Sequence, residues 1–233
     1  MTVSRVAACE PLGPYLQVQL ERTFDPGGPG RFHMLRALAH DSFLARPLSA
    51  VAFDDQRVTY LCMPRGPALT ALAVPGAEVE VLGPFGRGFD TASAGPAPLL
   101  VGGGFGAALL APLSQRLPAA PLLAAFRDVE AARAAELVPA AGRELALPPA
   151  NVLDLLGAHL SGASSVFAAG PDGLVRAVAA ACSAAGVPCQ VALEAPMACG
   201  YGACYGCAVR LGGELVRLCV EGPVVAGERL AAA

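Results

Sequence analysis

Charge is scarce in this sequence. Asp, Glu, Lys and Arg make up 15% of its 233 residues, and 55% are hydrophobic. An average globular protein carries roughly 25% charged residues. Disorder requires the reverse balance, low hydrophobicity with high net charge, so a folded chain is expected throughout. A surplus of positive charge is also missing. The formal net charge of -3 leaves no basic face of the kind a dedicated nucleic-acid binder needs. The first residues, MTVSRVAACEPLG, lack the apolar core of a secretory signal, which points to the cytoplasm. Residues 96–113 come nearest to a membrane span, being uncharged and almost wholly apolar, but they hold three prolines and glycines at 102, 103, 104 and 106. Those residues interrupt helices. A strand, a glycine turn and a helix are expected there instead of a span. The three histidines, His33, His40 and His159, show no metal-ligand spacing, and Ser, His and Asp form no nucleophile pattern. Packed or solvated imidazoles are expected, and no catalytic residue is assigned.

What is present falls into distinct stretches. Up to about residue 94, short apolar segments recur roughly every ten residues between Gly, Pro and Asp: Tyr15–Leu20, Phe32–Leu38, Ser49–Phe53, Val58–Met63 and Val79–Leu82. That rhythm predicts an antiparallel sheet or small β-barrel. After Gly95-Pro96 the pattern changes to apolar runs alternating with helical stretches. Strands are expected at Pro98–Val101, Leu122–Phe126, Val166–Ala168 and Gln190–Leu193. Helices are expected after the glycine run, from Asp128 to about Val138, from Asn151 through Leu160, and from an Asp172 cap to Ala185. Alternation of this kind implies a parallel sheet covered by helices. From Ala195 onward the chain is rich in glycine and cysteine, with a hairpin expected around Gly212-Gly213.

Eight cysteines in a reducing compartment point to metal or redox chemistry wherever they cluster. Cys9, Cys62, Cys182 and Cys189 are scattered and read as small buried hydrophobes. The other four fall within 21 residues: Cys199, Cys204 and Cys207 in C-x4-C-x2-C spacing, then eleven residues to Cys219. This is the plant-type ferredoxin pattern for a [2Fe–2S] cluster. Four thiolates must wrap two irons, and the intervening chain must curl tightly. Gly200, Gly202 and Gly206 permit that curl and let backbone N–H groups approach sulfur. The alternative is a four-cysteine zinc site in a non-enzymatic interaction protein. Such sites usually carry two C-x2-C knuckles, and here there is one.

Two weaker motifs precede the cysteines. Arg46-Pro47-Leu48-Ser49 sets a guanidinium, whose fork suits a diphosphate, beside a serine. Gly102-Gly103-Gly104-Phe105-Gly106 lies between an expected strand and helix, where a backbone without side chains admits a nucleotide phosphate.

Taken in order, the Pro29–Leu35 segment, Arg46–Ser49, Gly83–Phe89, the Gly102–Gly106 turn, Leu193–Cys199 and Cys219–Val224 resemble the ferredoxin–NAD(P)+ reductase superfamily. Within it the match is to the electron-transfer subunits of class 1B dihydroorotate dehydrogenases, and it covers almost the whole chain. The resemblance implies a multidomain α+β architecture in three parts: a flavin-binding antiparallel β-barrel over 1–94, an NAD-binding α/β domain with a parallel sheet over 95–192, and a [2Fe–2S] extension over 193–233. It implies FAD at Arg46, Pro47, Leu48, Ser49, Met63, Pro64, Arg65, Thr70 and Ala71. It implies NAD at Gly102, Gly103, Gly104 and Gly106, and the cluster at Cys199, Cys204, Cys207 and Cys219. The implied partner is an FMN-containing catalytic subunit, two of each forming a heterotetramer that serves pyrimidine biosynthesis. A reductase subunit of a hydrogenase or sulfide dehydrogenase is the alternative within the superfamily. Two departures stand out. Leu69 replaces the glycine that usually precedes the threonine of the flavin loop, and Ala169 stands where relatives often carry a cysteine before Gly-Pro. Arg127 is placed to meet an adenosine phosphate, and Asp128 and Glu130 beside it favour NAD over NADP.

Overall fold

The computed structural model describes residues 1–40 and 44–231. Seven strands build the N-terminal part: β1 (Thr2–Leu12), β2 (Tyr15–Glu21), β3 (Phe32–Ala37), β4 (Arg46–Leu48), β5 (Ala50–Phe53), β6 (Arg57–Cys62) and, after the short helix α1 (Pro67–Ala71), β7 (Glu78–Phe85). They form one sheet in the order β4-β3-β7-β1-β2-β6-β5. The pairings are antiparallel, and the sheet rolls up so that β4 comes back against β6. Its interior is filled by Val18, Leu20, Leu35, Val58, Tyr60 and Val79, all at most 2% exposed. His33 is buried among them. Its Nε2 lies 2.9 Å from the Asp25 carbonyl and its Nδ1 lies 2.9 Å from the Tyr60 hydroxyl. A carbonyl only accepts, so Nε2 carries the proton and Tyr60 donates to Nδ1. Burial holds the His33 pKa below its ordinary value. The ring is a packed, neutral imidazole.

Five parallel strands make the second sheet: β8 (Pro98–Gly103), β9 (Leu122–Ala125), β10 (Arg143–Ala146), β11 (Ser165–Ala169) and β12 (Cys189–Ala192), in the order β10-β9-β8-β11-β12. A 3-10 segment, Gly104–Leu110, and α2 (Ala111–Arg116) follow β8, while α3 (Val129–Ala132) follows β9. These cover one face through Ala107, Leu110, Leu113 and Ala131. The opposite face is covered by α4 (Val152–His159) and α5 (Asp172–Ala185) through Val152, Leu156, Val175, Val178 and Cys182. Asn151 caps α4 as expected: its side chain accepts from Leu153 N at 2.8 Å, and Asp154 accepts from Asn151 N at 3.1 Å. This reciprocal pair satisfies two donors a helix start leaves orphaned.

Two local expectations need correction. Asp172 is the first residue of α5 and not its cap, which is Pro171; the carboxylate pairs instead with Arg176 one turn on, at 2.7 Å. The alanine-rich stretch after Asp128 is a single turn of α-helix continued as 3-10 helix over Arg133–Leu137.

The cysteine-rich tail forms the hairpin β13 (Ala208–Leu211) and β14 (Glu214–Arg217), then β15 (Val224–Ala226) and α6 (Glu228–Ala231). Gly212 and Gly213 turn the hairpin with φ of 54° and 82°, as a two-residue turn of this hand requires. The tail does not stand apart. Strand β15 joins the parallel sheet as an antiparallel edge beside β12, and Pro223 bridges to Arg87 of the segment linking the two larger parts. Among the described residues no helix is long and apolar enough to cross a membrane. Residues 96–113 form the expected strand, turn and helix.

Candidate functional site

The four clustered cysteines come together. Residues 199–207 loop over β3 of the rolled sheet, and Cys219 returns beside them after the hairpin, where Leu218 N donates to Cys207 O at 3.3 Å. Cys207 and Cys219 are buried at 2% exposure, Cys199 is half-buried and Cys204 is exposed. The thiols meet as two neighbouring pairs. Cys199 lies next to Cys204 and Cys219 next to Cys207, each near enough to alter the other's ionisation, and Cys219 also feels the charge of Cys199. Burial disfavours ionisation of Cys199, but the backbone N–H groups of Cys204, Tyr201 and Ala203 and the Cys204 thiol outweigh it and lower its pKa to about 6. Burial and the neighbouring Cys207 push Cys219 up to about 12. Gly206 N approaches Cys204 Sγ at 3.4 Å. A Cβ at Gly200 would lie 2.4 Å from Met34 Cγ, so only glycine lets the loop settle this close to β3.

Among the described residues no three His, Cys, Asp or Glu side chains converge on a single metal ion. Two adjacent thiol pairs, with backbone N–H groups aimed at sulfur, fit a two-iron centre better than one tetrahedral ion.

A cleft runs between the rolled sheet and the C-terminal ends of β8, β11 and β12. One cavity of about 160 Å³ is walled by Pro47, Leu48, Ser49, Phe105, Leu109 and Glu194, among others. A second of about 300 Å³ is walled by Leu48, Met63, Arg65, Gly103, Gly106 and Pro171, among others. Leu48, Phe105 and Glu194 line both, so the two lie side by side. Its apolar walls with few polar groups suit a planar ring system.

The expected binding residues divide here. Pro47, Leu48, Ser49, Met63, Arg65, Gly103 and Gly106 line the cleft, while Arg46, Pro64, Thr70, Ala71, Gly102 and Gly104 stand outside its two cavities. The Thr70 hydroxyl donates back to Gly66 O at 3.1 Å. The glycine turn is used chiefly for packing. A Cβ on Gly102, Gly103 or Gly106 would meet Ala107, Leu174 or Gly170 at 2.6, 2.4 and 2.4 Å, and only the one on Gly104 would face open space. Arg127 Nε holds Asp128 Oδ2 at 2.9 Å, and the same carboxylate caps α3 by accepting from Ala131 N at 2.7 Å.

Sequence reasoning missed Phe105, Leu109 and Glu194 as lining residues. Phe105 sat inside the glycine run and Glu194 inside the Leu193–Cys199 match, so the signal was there but unused. Among the described residues, Glu194 is the only carboxylate on either cavity wall. Burial raises its pKa, although its side chain still reaches solvent at the cleft mouth.

Comparison with known proteins agrees with this geometry. Residues 194–231 match the iron-sulfur cluster binding domain of dihydroorotate dehydrogenase B. The dihydroorotate dehydrogenase B (NAD+) electron transfer subunit of Caldanaerobacter subterraneus subsp. tengcongensis is 30% identical over 90% of this chain and 91% of its own length. That of Bacillus caldolyticus is 33% identical over 86% of each. In three dimensions the chain resembles a chain of an NADH-dependent reduced ferredoxin-NADP oxidoreductase, with a TM-score of 0.81 and 20% identity over 98% of this chain and 90% of that one. It also resembles the ferredoxin reductase of carbazole 1,9a-dioxygenase, with a TM-score of 0.65 and 22% identity over 79% and 65% of the two chains. The structural likenesses establish a ferredoxin-reductase-like fold.

Proposed function

This chain belongs to the family of dihydroorotate dehydrogenase B (NAD+) electron transfer subunits, and we propose that it carries electrons from a dihydroorotate-oxidising catalytic subunit to NAD+. The observation that carries the reading is the gathering of Cys199, Cys204, Cys207 and Cys219 into two thiol pairs next to a cleft of flavin-binding character. Those cysteines would hold a [2Fe–2S] cluster. Pro47, Leu48, Ser49, Met63 and Arg65 would hold FAD, with Arg46, Pro64, Thr70 and Ala71 serving its phosphate end. The Gly102–Gly106 turn would seat NAD across the cleft. Bound there, cluster and flavin would supply one-electron and two-electron redox chemistry respectively, which the side chains cannot perform.

The chain's own residues orient and shield. Leu48 and Phe105 form the apolar walls on which a flat ring packs, and they keep bulk water from the junction of the two cavities. Ser49 offers a hydroxyl to the ring edge. Arg65 supplies a cation on the nucleotide side. Backbone N–H groups around Cys199 stabilise its thiolate before any metal arrives. Removal of the carbon-bound proton of dihydroorotate is assigned to the catalytic subunit, in keeping with the electron-transfer role of the related subunits. An assembly of two subunits of each kind, in the cytoplasm where these thiols stay reduced, completes the reading.

The test is anaerobic purification followed by metal and sulfide analysis and turnover. About two irons and two labile sulfides per chain are expected. NADH should reduce dyes with this chain alone, and dihydroorotate should be oxidised only when the catalytic subunit is added. Stoichiometric zinc without labile sulfide, or dihydroorotate turnover by the chain alone, would refute it.

A further inference from the structure

Read singly, Cys182 and Cys189 are small buried hydrophobes, but the fold makes them a pair. Cys182 lies near the end of α5, on its buried side. The helix stops at Gly186, whose φ of 68° turns the chain back, and Val187 N donates to Cys182 O at 2.9 Å. A left-handed residue just past a helix end is a position glycine fills without strain. Cys189 then opens β12, against which α5 packs. Both side chains belong to one apolar cluster, at 0% and 6% exposure. The two thiols are near enough to alter each other's ionisation. Cys189 lowers the pKa of Cys182 against the effect of burial, while Cys182 and burial together raise that of Cys189.

The pair is buried but not sealed. Cys189 lines a cavity of about 180 Å³ with Ala179, Ser183 and Glu228. It also lines one of about 340 Å³ with Arg87, Asp90 and Gln190. Both cavities lie at the amino end of β12, away from the cleft at its carboxyl end. Glycine at 227 keeps this side of Cys189 clear, because a Cβ there would lie 3.0 Å from its Cβ and 3.3 Å from its Sγ. Cys182 stands behind Cys189 and lines neither cavity.

We propose that Cys182 and Cys189 are a redox-active thiol pair that closes to a disulfide when a low-molecular-weight disulfide reaches Cys189 from the cavity side. Cys189 Sγ attacks one sulfur of the incoming disulfide and the small S–S bond breaks. One small thiolate leaves with the Cys189 proton, and a mixed disulfide remains on Cys189. Cys182 Sγ then attacks Cys189 Sγ and expels the second small thiolate, which takes the Cys182 proton. The two protein thiols lose two electrons, and one small disulfide becomes two thiols. In a reducing compartment such a bridge is transient, as a redox sensor requires. Closed, it ties α5 to β12 and, through the 2.9 Å and 2.7 Å bonds of Val187 N to Cys182 O and Gly227 N to Cys189 O, braces the chain on both sides. Strand β12 runs on through Glu194 to the cysteine loop, so oxidation stiffens the segment that carries one cleft wall. None of this depends on what the four clustered cysteines hold.

The test incubates the cofactor-loaded chain anaerobically with hydroxyethyl disulfide, blocks free thiols with iodoacetamide, and cuts the protein after Arg176 and Glu194. That digestion frees residues 177–194, which contain these two cysteines and no other. The peptide should be unalkylated and lighter by two hydrogens than its reduced form. Dithiothreitol before blocking should return it to the doubly alkylated form. In Cys182→Ala the reaction should stop at a mixed disulfide on Cys189, and in Cys189→Ala the thiol of Cys182 should stay free. The oxidised chain should melt about 5–10 °C higher than the reduced one, a gain absent from Cys182→Ala. Two free thiols in the treated wild-type peptide, or a mixed disulfide that persists there, would overturn the proposal. Equal melting temperatures of the bridged and reduced chains would refute the stiffening of β12.

Discussion

Replacing Gly106 with alanine gives the most direct check on how the cleft is built. The new Cβ would sit 2.4 Å from Gly170 Cα, 2.5 Å from Gly170 N and 2.7 Å from the Ala169 carbonyl carbon. All three are backbone atoms, so no rotamer change relieves the contact. Ordinary van der Waals contact starts near 3.4 Å, so the ends of β8 and β11 must separate by about 1 Å. Overpacking of this kind costs about 1–3 kcal/mol. In a chain of this length each kcal/mol moves the melting temperature by about 2–4 °C, so a fall of roughly 2–12 °C is expected. The same separation widens the cavity between Gly103, Gly106 and Pro171, and NADH affinity should fall with stability. Gly104→Ala is the comparison. Its Cβ meets nothing within 4 Å but its φ is 50°, so the cost is the left-handed conformation alone, about 1–2 kcal/mol. Calorimetric melting and NADH titration of both variants decide the matter. Wild-type melting of Gly106→Ala would show that the turn is not close-packed as described.

Three further outcomes follow from the site. Arg46→Ala should weaken FAD binding by about tenfold or more, since a charge-assisted pair contributes roughly 1.5–3 kcal/mol; unchanged flavin affinity in equilibrium dialysis would assign Arg46 another task. Tyr60→Phe leaves His33 Nδ1 buried without its donor, and chemical denaturation should show a loss of about 1–3 kcal/mol; an unchanged midpoint would refute the tautomer given above. Glu194 has its pKa raised by burial, so its carboxyl in the unfolded chain ionises at lower pH than in the folded one. Stability must then decline as pH rises from the unfolded value through the folded value. Glu194→Gln should remove that decline and leave the variant the more stable at neutral pH, and equal stability-against-pH curves would show that Glu194 is not desolvated.

The legible parts of this sequence were those in which local chemistry decides. The C-x4-C-x2-C spacing places three thiols within one loop whatever the rest of the chain does, and the Asn151–Asp154 capping box lies within four residues. Strands with an apolar face, such as Tyr15–Glu21 and Leu122–Ala125, announced themselves. Strand β1 did not. Its eleven residues include Arg5, Glu10 and Pro11 and bury few side chains, and it is held by backbone pairing to β2 and β7 on either side. The exposed edge strand β10 escaped for the same reason, while β15 buries Val224 and Val225 but at three residues is too short to show a pattern. The cleft was only partly visible because its walls come from segments as distant as Leu48, Phe105 and Glu194. Only the folded chain brings those together.

The placement of β15 bears on how the molecule is made. Strand β12 ends at Ala192, and the strand that closes its free edge begins at Val224, so the chain between must be synthesised before that edge is covered. During this interval β12 offers unpaired backbone groups, a template for illicit pairing with another chain. The segment that shields it is the one following the last cysteine, and it is tied through Pro223 to Arg87. A chain cut short after Cys219 would keep every thiol and still lack the clasp that protects its sheet from aggregation. Cover for this sheet edge is thus supplied by the same stretch of chain that follows the cysteines, so the edge stays open until that stretch has been made.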